Sequence, residues 1–123
     1  MECIFCNIPK EEILFENDLA IAFFDSYPVS KGHTLIIPKR HSENYFELTS
    51  EEIAAMLELS KLVKEKLEKE FHPDGYNVGF NVQEAGGQTV MHTHMHIIPR
   101  YKGDIDNPRG GIRKVIKKTV SNY

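Results

Sequence analysis

Apolar residues recur along this chain with two different periods, and the changes of period mark out its elements. Residues 19–24, Leu-Ala-Ile-Ala-Phe-Phe, read as a strand closed by Asp25 and the turn around Pro28. Gly32 precedes a second strand, residues 33–37, His-Thr-Leu-Ile-Ile, ended by Pro38, and the two are expected to pair antiparallel across a short connection. After Thr49 the period lengthens. Ile53, Met56, Leu57, Ser60, Val63, Leu67 and Phe71 share one face at helical spacing, while Lys61, Lys64, Glu65, Lys66, Glu68 and Lys69 cover the other side. Thr49 with Glu52 supplies a capping box at the start, and His72-Pro73-Asp74-Gly75 stops the helix. Residues 76–82 return to strand character, residues 83–88 form a loop with two adjacent glycines, and residues 89–98 read as the last strand. The pattern predicts an α+β domain, an antiparallel meander with one main helix packed on it.

Composition narrows the class. At 123 residues, 41% hydrophobic and 27% charged, the chain has the makeup of one globular domain with a modest core. Charge is uneven beneath the net of -3: residues 1–101 hold 9 basic and 16 acidic side chains, and residues 102–123 hold 6 basic and 2 acidic. Residues 1–101 read as the domain and residues 102–123 as a basic C-terminal tail of the same single-domain chain, running over the surface or reaching a partner. As a nucleic-acid footprint the tail is weak. The sequence shows no signal peptide and no apolar stretch near 18 residues, so secretion and membrane spanning are disfavoured and a cytoplasmic setting is expected. Cys3 and Cys6 make a poor disulfide scaffold; a reduced thiol pair or a metal clip fits better.

The candidate chemistry lies in the last strand, His92-Thr93-His94-Met95-His96-Ile97-Ile98. Strand alternation puts Val90, His92, His94, His96 and Ile98 on one face. At about 3.3 Å per residue the outer two histidine Cα atoms stand roughly 13 Å apart. Zn–N bonds of about 2.1 Å cannot reach all three, so the histidines divide their labour. Gly86-Gly87-Gln88-Thr89 sits just ahead of them, where glycines let backbone N–H groups approach an anion and Gln88 and Thr89 offer neutral hydrogen bonds. Plain alternatives stand beside these readings: Gly-Gly also suits a hairpin turn, Asp25 a turn residue, and Phe5, Ile8 and Phe23 a core.

The segment Gly87-Gln88-Thr89-Val90-Met91-His92-Thr93-His94-Met95-His96-Ile97-Ile98 resembles the signature of the histidine-triad (HIT) nucleotide hydrolases and transferases. Cys3-Ile4-Phe5-Cys6, Asp25 after an apolar strand, and Lys31-Gly32-His33-Thr34-Leu35-Ile36-Ile37-Pro38-Lys39-Arg40-His41 extend the resemblance over residues 3–101, leaving the tail uncovered. It implies a HIT-like fold, a five-stranded antiparallel sheet with one long helix, joined in a homodimer to a ten-stranded sheet. It makes His94 the nucleophile toward the α-phosphorus of a purine nucleotide, forming a covalent nucleotidyl-histidine, with His96 a donor to the phosphoryl oxygens and Thr89 assisting the leaving group. Gly87, Gln88 and Asn81 would face the phosphate region, Asp25 with Ser26 the ribose, and Phe5, Ile8, Phe23 and Phe24 the base. His33 would lie at the site edge and His72 at the solvated helix end. Several microbial members carry a structural zinc, which here would fall to Cys3, Cys6, His41 and His92. The resemblance thus implies a hydrolase of adenylated amines (phosphoramidates). Thr89 and Pro99-Arg100 also resemble the dinucleoside polyphosphate branch, and a non-catalytic nucleotide-binding adaptor on the same fold is a third reading. A catalytic zinc on His-x-His is disfavoured, since no carboxylate stands beside the triad as base.

Overall fold

The computed structural model describes residues 3–116. Five strands and one long helix carry the fold: β1 (Ile13–Glu16), β2 (Ala20–Phe24), β3 (Thr34–Pro38), α1 (Ser50–Phe71), β4 (Gly75–Phe80) and β5 (Met95–Arg100). The first strand escapes the apolar pattern because Ile13-Leu14-Phe15 is only three residues between glutamates. Helix α1 starts where the capping box predicts, with Thr49 accepting from the Glu52 N–H and Glu52 accepting from the Thr49 N–H. Its buried stripe is Glu52, Met56, Leu59, Val63 and Leu67. The structure therefore corrects one position of the expected face: Leu59 is 1% exposed and Leu57 is 49% exposed, because Leu57 lies one helical step of about 100° off the stripe.

The sheet order is β1-β2-β3-β5-β4, antiparallel throughout, which corrects the expected meander. The helical crossover returns the chain to the same end of the sheet, so β3 and β4 run parallel with one strand's gap between them. Strand β5 runs back from β4 and fills that gap, where both of its edges find partners. Gly32 fits this close packing in two ways: its φ is +88°, and a Cβ there would meet Leu67 Cδ2 at 2.9 Å.

Alternation along the strands separates two cores. Ala20, Ala22, Ile36, Met95 and Ile97 face α1 and close on Met56, Leu59, Val63 and Leu67. Ile21, Phe23, Leu35 and Ile37 point to the opposite face, where Phe5, Ile8 and Ile13 of the N-terminal segment cover them. The histidines lie on this second face, away from the helix. Of the tail, residues 102–116 are described: Arg100 holds Asp104 and the Lys102 N–H bonds Asp74, after which the chain makes a 3-10 turn at Gly111–Val115. The expected tail's last residues, 117–123, lie outside the described residues. No helix among the described residues is long and apolar enough to cross a membrane.

Candidate active site

The strand expected over residues 89–98 pairs only from Met95 onward, and the reason defines the site. Ahead of Met95 the chain is held by side chains and by the segment after β3. The Thr93 N–H donates to the Ser42 carbonyl at 2.7 Å, and the Thr93 and Ser42 hydroxyls bond each other at 2.8 Å. His92 is fully buried, and its Nε2–H donates to the Pro38 carbonyl at 2.9 Å. That bond leaves a lone pair on Nδ1, which lies 3.2 Å from Cys3 Sγ and 3.5 Å from Cys6 Sγ. Cys6 Sγ is in turn 3.4 Å from His41 Nδ1, and the four ligand atoms all fall within 4.8 Å of one another.

These distances fit a tetrahedral ion. Zn–S of about 2.3 Å and Zn–N of about 2.1 Å give an S···N edge of roughly 3.6 Å. The Pro38 carbonyl supplies the outer hydrogen bond that a ligating imidazole ordinarily has. A hydrogen bond with Cys3 holds the Cys6 thiol above its ordinary pKa, with desolvation and the charge of Cys3 acting in the same direction. Burial pushes His92 below its ordinary range, opposed by the Pro38 bond.

His94 and His96 follow on the same face, ring beside ring. The Nδ1–H of buried His94 donates to the His92 carbonyl at 2.9 Å, which leaves its Nε2 with a lone pair. Phe5 packs edge-on against this ring, centroids 5.2 Å apart, and against Phe23 at 5.5 Å. The His96 ring lies 5.0 Å from that of His94, and its Nδ1 is 3.0 Å from His33 Nε2. Burial, then the neighbouring His94 and His33, hold His96 down to about 4, so it is neutral at neutral pH. His33 is lowered by burial too, against the pull of Asp25, whose Oδ2 lies 3.5 Å away. The other Asp25 oxygen accepts from the Tyr27 N–H.

The remaining expected site residues divide. Ile8 and Phe23 line the face beside Phe5, and Ser26 is exposed next to Asp25. Phe24 does not join them: strand alternation turns its ring to the helix side, against Phe71 at 6.3 Å. Thr89 and Asn81 are exposed, and Gly87 approaches Asn81 with a φ of +92°. The Gln88 side chain is committed to the main chain, accepting from the Gln83 N–H and donating to the Val90 carbonyl and to the Glu43 carbonyl in the segment after β3. His72 caps the helix end, exposed, with a φ of 51°. Ser42 and the Pro38 carbonyl were not singled out in the sequence; a buried serine and a main-chain acceptor leave no residue pattern to find.

The HIT domain family matches residues 7–103. Adenosine 5'-monophosphoramidase hnt1 of Schizosaccharomyces pombe is 44% identical over 104 residues, covering 81% of this chain and 75% of that protein. A HIT family protein from Bacillus anthracis superposes with a TM-score of 0.77 at 39% identity, covering 83% of this chain and 75% of that one. The crystal structure of a Zn-bound histidine triad family protein from Mycobacterium smegmatis gives 0.74 at 31% identity, covering 83% and 77%.

Proposed function

This chain belongs to the HIT family, and from that premise we propose that it hydrolyses purine nucleotides at the α-phosphate through a nucleotidyl-His94 intermediate, with adenylated amines as its favoured substrates. One observation carries the reading. The His92 carbonyl fixes the His94 proton on Nδ1, so the lone pair that must attack phosphorus stands on Nε2. That lone pair forms the N–P bond. The P–N bond to the amine breaks, its electron pair leaves with the amine, and the amine takes a proton through the Thr89 hydroxyl, which water replenishes. Water then attacks phosphorus, yields its proton to solvent and releases the nucleotide from a neutral His94.

The other groups serve this displacement. His96, neutral at neutral pH, gives a hydrogen bond to phosphoryl oxygens as they gain charge. Asp25 accepts from the ribose hydroxyls, Phe5, Ile8 and Phe23 enclose the base, and Asn81 with the Gly87 turn borders the phosphate. Gln88 shapes that turn. Cys3, Cys6, His41 and His92 would hold a structural zinc, which supplies folding stability rather than chemistry. The protomer is proposed to act as a homodimer with a continuous ten-stranded sheet. Pro99-Arg100 resembles the polyphosphate alternative, and here the Arg100 guanidinium is bonded to Asp104 and Asn77.

The test is intact mass of full-length protein quenched during turnover of an adenylated amine. The expected product is one adenylyl group on wild type and none on His94→Ala, which still binds AMP. Wild-type turnover by His94→Ala would refute the mechanism. Binding of AMP without any turnover or adduct in the wild type would instead favour the adaptor reading.

A further inference from the structure

A fourth histidine, His33, is buried beside the triad with both ring nitrogens engaged. The Val29 backbone N–H points at its Nδ1 from 3.1 Å. A ring nitrogen accepts such a bond only with a lone pair, so neutral His33 carries its proton on Nε2. That nitrogen lies 3.0 Å from His96 Nδ1 and 3.5 Å from Asp25 Oδ2. His96 therefore receives at Nδ1, and its own proton is left on Nε2.

We propose that His33 is a positioning residue that sets the tautomer of His96, through a chain running from the Val29 N–H through both rings. The inference rests on the nucleotidyl-transfer reading of this site and deepens it. Two neighbouring imidazoles of identical chemistry are thereby given opposite roles. The His92 carbonyl makes His94 Nε2 a lone-pair donor, and the Val29 N–H makes His96 Nε2 a hydrogen-bond donor to the phosphoryl oxygens. Burial keeps both His33 and His96 below their ordinary pKa, so each has a single proton to place. Asp25 adds a second acceptor beside the His33 proton and favours the same form.

The same trio of Asp25, His33 and His96 is close enough to suggest a cation site, with ligand atoms within 4.8 Å of one another. The Val29 N–H decides against it. A cation on His33 Nε2 would move the proton to Nδ1, where two N–H groups would face each other across 3.1 Å. The trio is a hydrogen-bonded relay of orientation, not a metal centre.

The experiment is long-range nitrogen–proton NMR on histidine-labelled full-length protein at neutral pH, with kinetics on an adenylated amine. In the resting wild type, His33 and His96 are expected as Nε2–H forms and His94 as Nδ1–H. His33→Leu removes the donor; it should turn His96 into a mixture of tautomers and lower kcat about ten- to a hundredfold while KM stays within about twofold. His33→Gln returns an amide N–H toward His96 and should restore kcat to within about threefold of wild type. An Nδ1–H form of His96 in the wild type overturns the proposal, as does a His33→Leu protein with wild-type kcat. The wild-type spectrum decides even where a variant fails to fold. Absence of turnover in the wild type would fault the hydrolase reading alone, because the tautomers are read on resting protein.

Discussion

Glu52→Gln tests how the helix start is tied to the segment that carries His41. The Glu52 side chain is buried; Oε1 accepts from the Thr49 N–H at 2.9 Å and from Arg40 at 2.8 Å, and Oε2 accepts from the Arg40 Nε at 2.9 Å. Arg40 also donates to the Glu47 carbonyl, so one guanidinium fastens the residue beside His41 to the first turn of α1. Glutamine keeps the shape and one acceptor but sets an amide N–H against the guanidinium. A hydrogen bond to a charged group is worth about 1.5–3 kcal/mol, and the half-exposed Arg40 can turn to water, so the loss should be about 2 kcal/mol. The sign with pH follows from the Glu52 carboxyl, whose pKa the Arg40 bond lowers below 4.5. The stabilisation is fully present above the unfolded value and lost as pH falls through the lower folded one. Urea unfolding from pH 7 to pH 3 should show the gap between wild type and variant closing in acid, where protonated Glu52 resembles glutamine. A gap under about 0.5 kcal/mol at pH 7, or one that does not change with pH, would refute the reasoning.

Further predictions concern the site. Cys6→Ser should lose bound zinc by elemental analysis and lower the melting temperature while leaving the adenylyl-transfer step measurable, and a chelator should reproduce this in wild type. Phe5→Ala should raise KM for an adenylated amine several-fold, whereas Phe24→Ala, on the helix face, should leave KM near wild type and lower stability only. Holding the His96 imidazole at about 4 rather than 6.5 corresponds to about 3 kcal/mol of stability, present above pH 6.5 and lost as pH falls to 4, because there the unfolded chain binds a proton that the folded one refuses. In His96→Gln this part of the acid destabilisation should vanish from the unfolding curves.

The parts of the fold that depend on repetition were readable from the residues. Helix α1 announces itself through its cap, its stripe and its stop, and β2 and β3 through apolar runs bounded by Asp25, Gly32 and Pro38. What depends on pairing partners was not. Nothing local tells β5 to enter between β3 and β4, and a three-residue apolar run does not declare β1 an edge strand. At the site, the ligand atoms of Cys3, Cys6, His41 and His92 converge as the resemblance implies, since thiol and imidazole spacing is written in residue identities. The tautomers are not so written. They are set by the Pro38 and His92 carbonyls and the Val29 N–H, main-chain groups that every residue possesses. Likewise Phe24 matches a base-enclosing position by sequence neighbourhood, while one step of strand alternation sends its ring to the other side.

His92 serves two masters with separate atoms. Its ring belongs to the thiol corner, whereas the orientation of the His94 imidazole comes from its carbonyl, which any amino acid would supply. Descendants of this chain are thus free to plug the corner with apolar bulk at positions 3, 6, 41 and 92, provided the main chain holds its course. The strand can outlive its anchor.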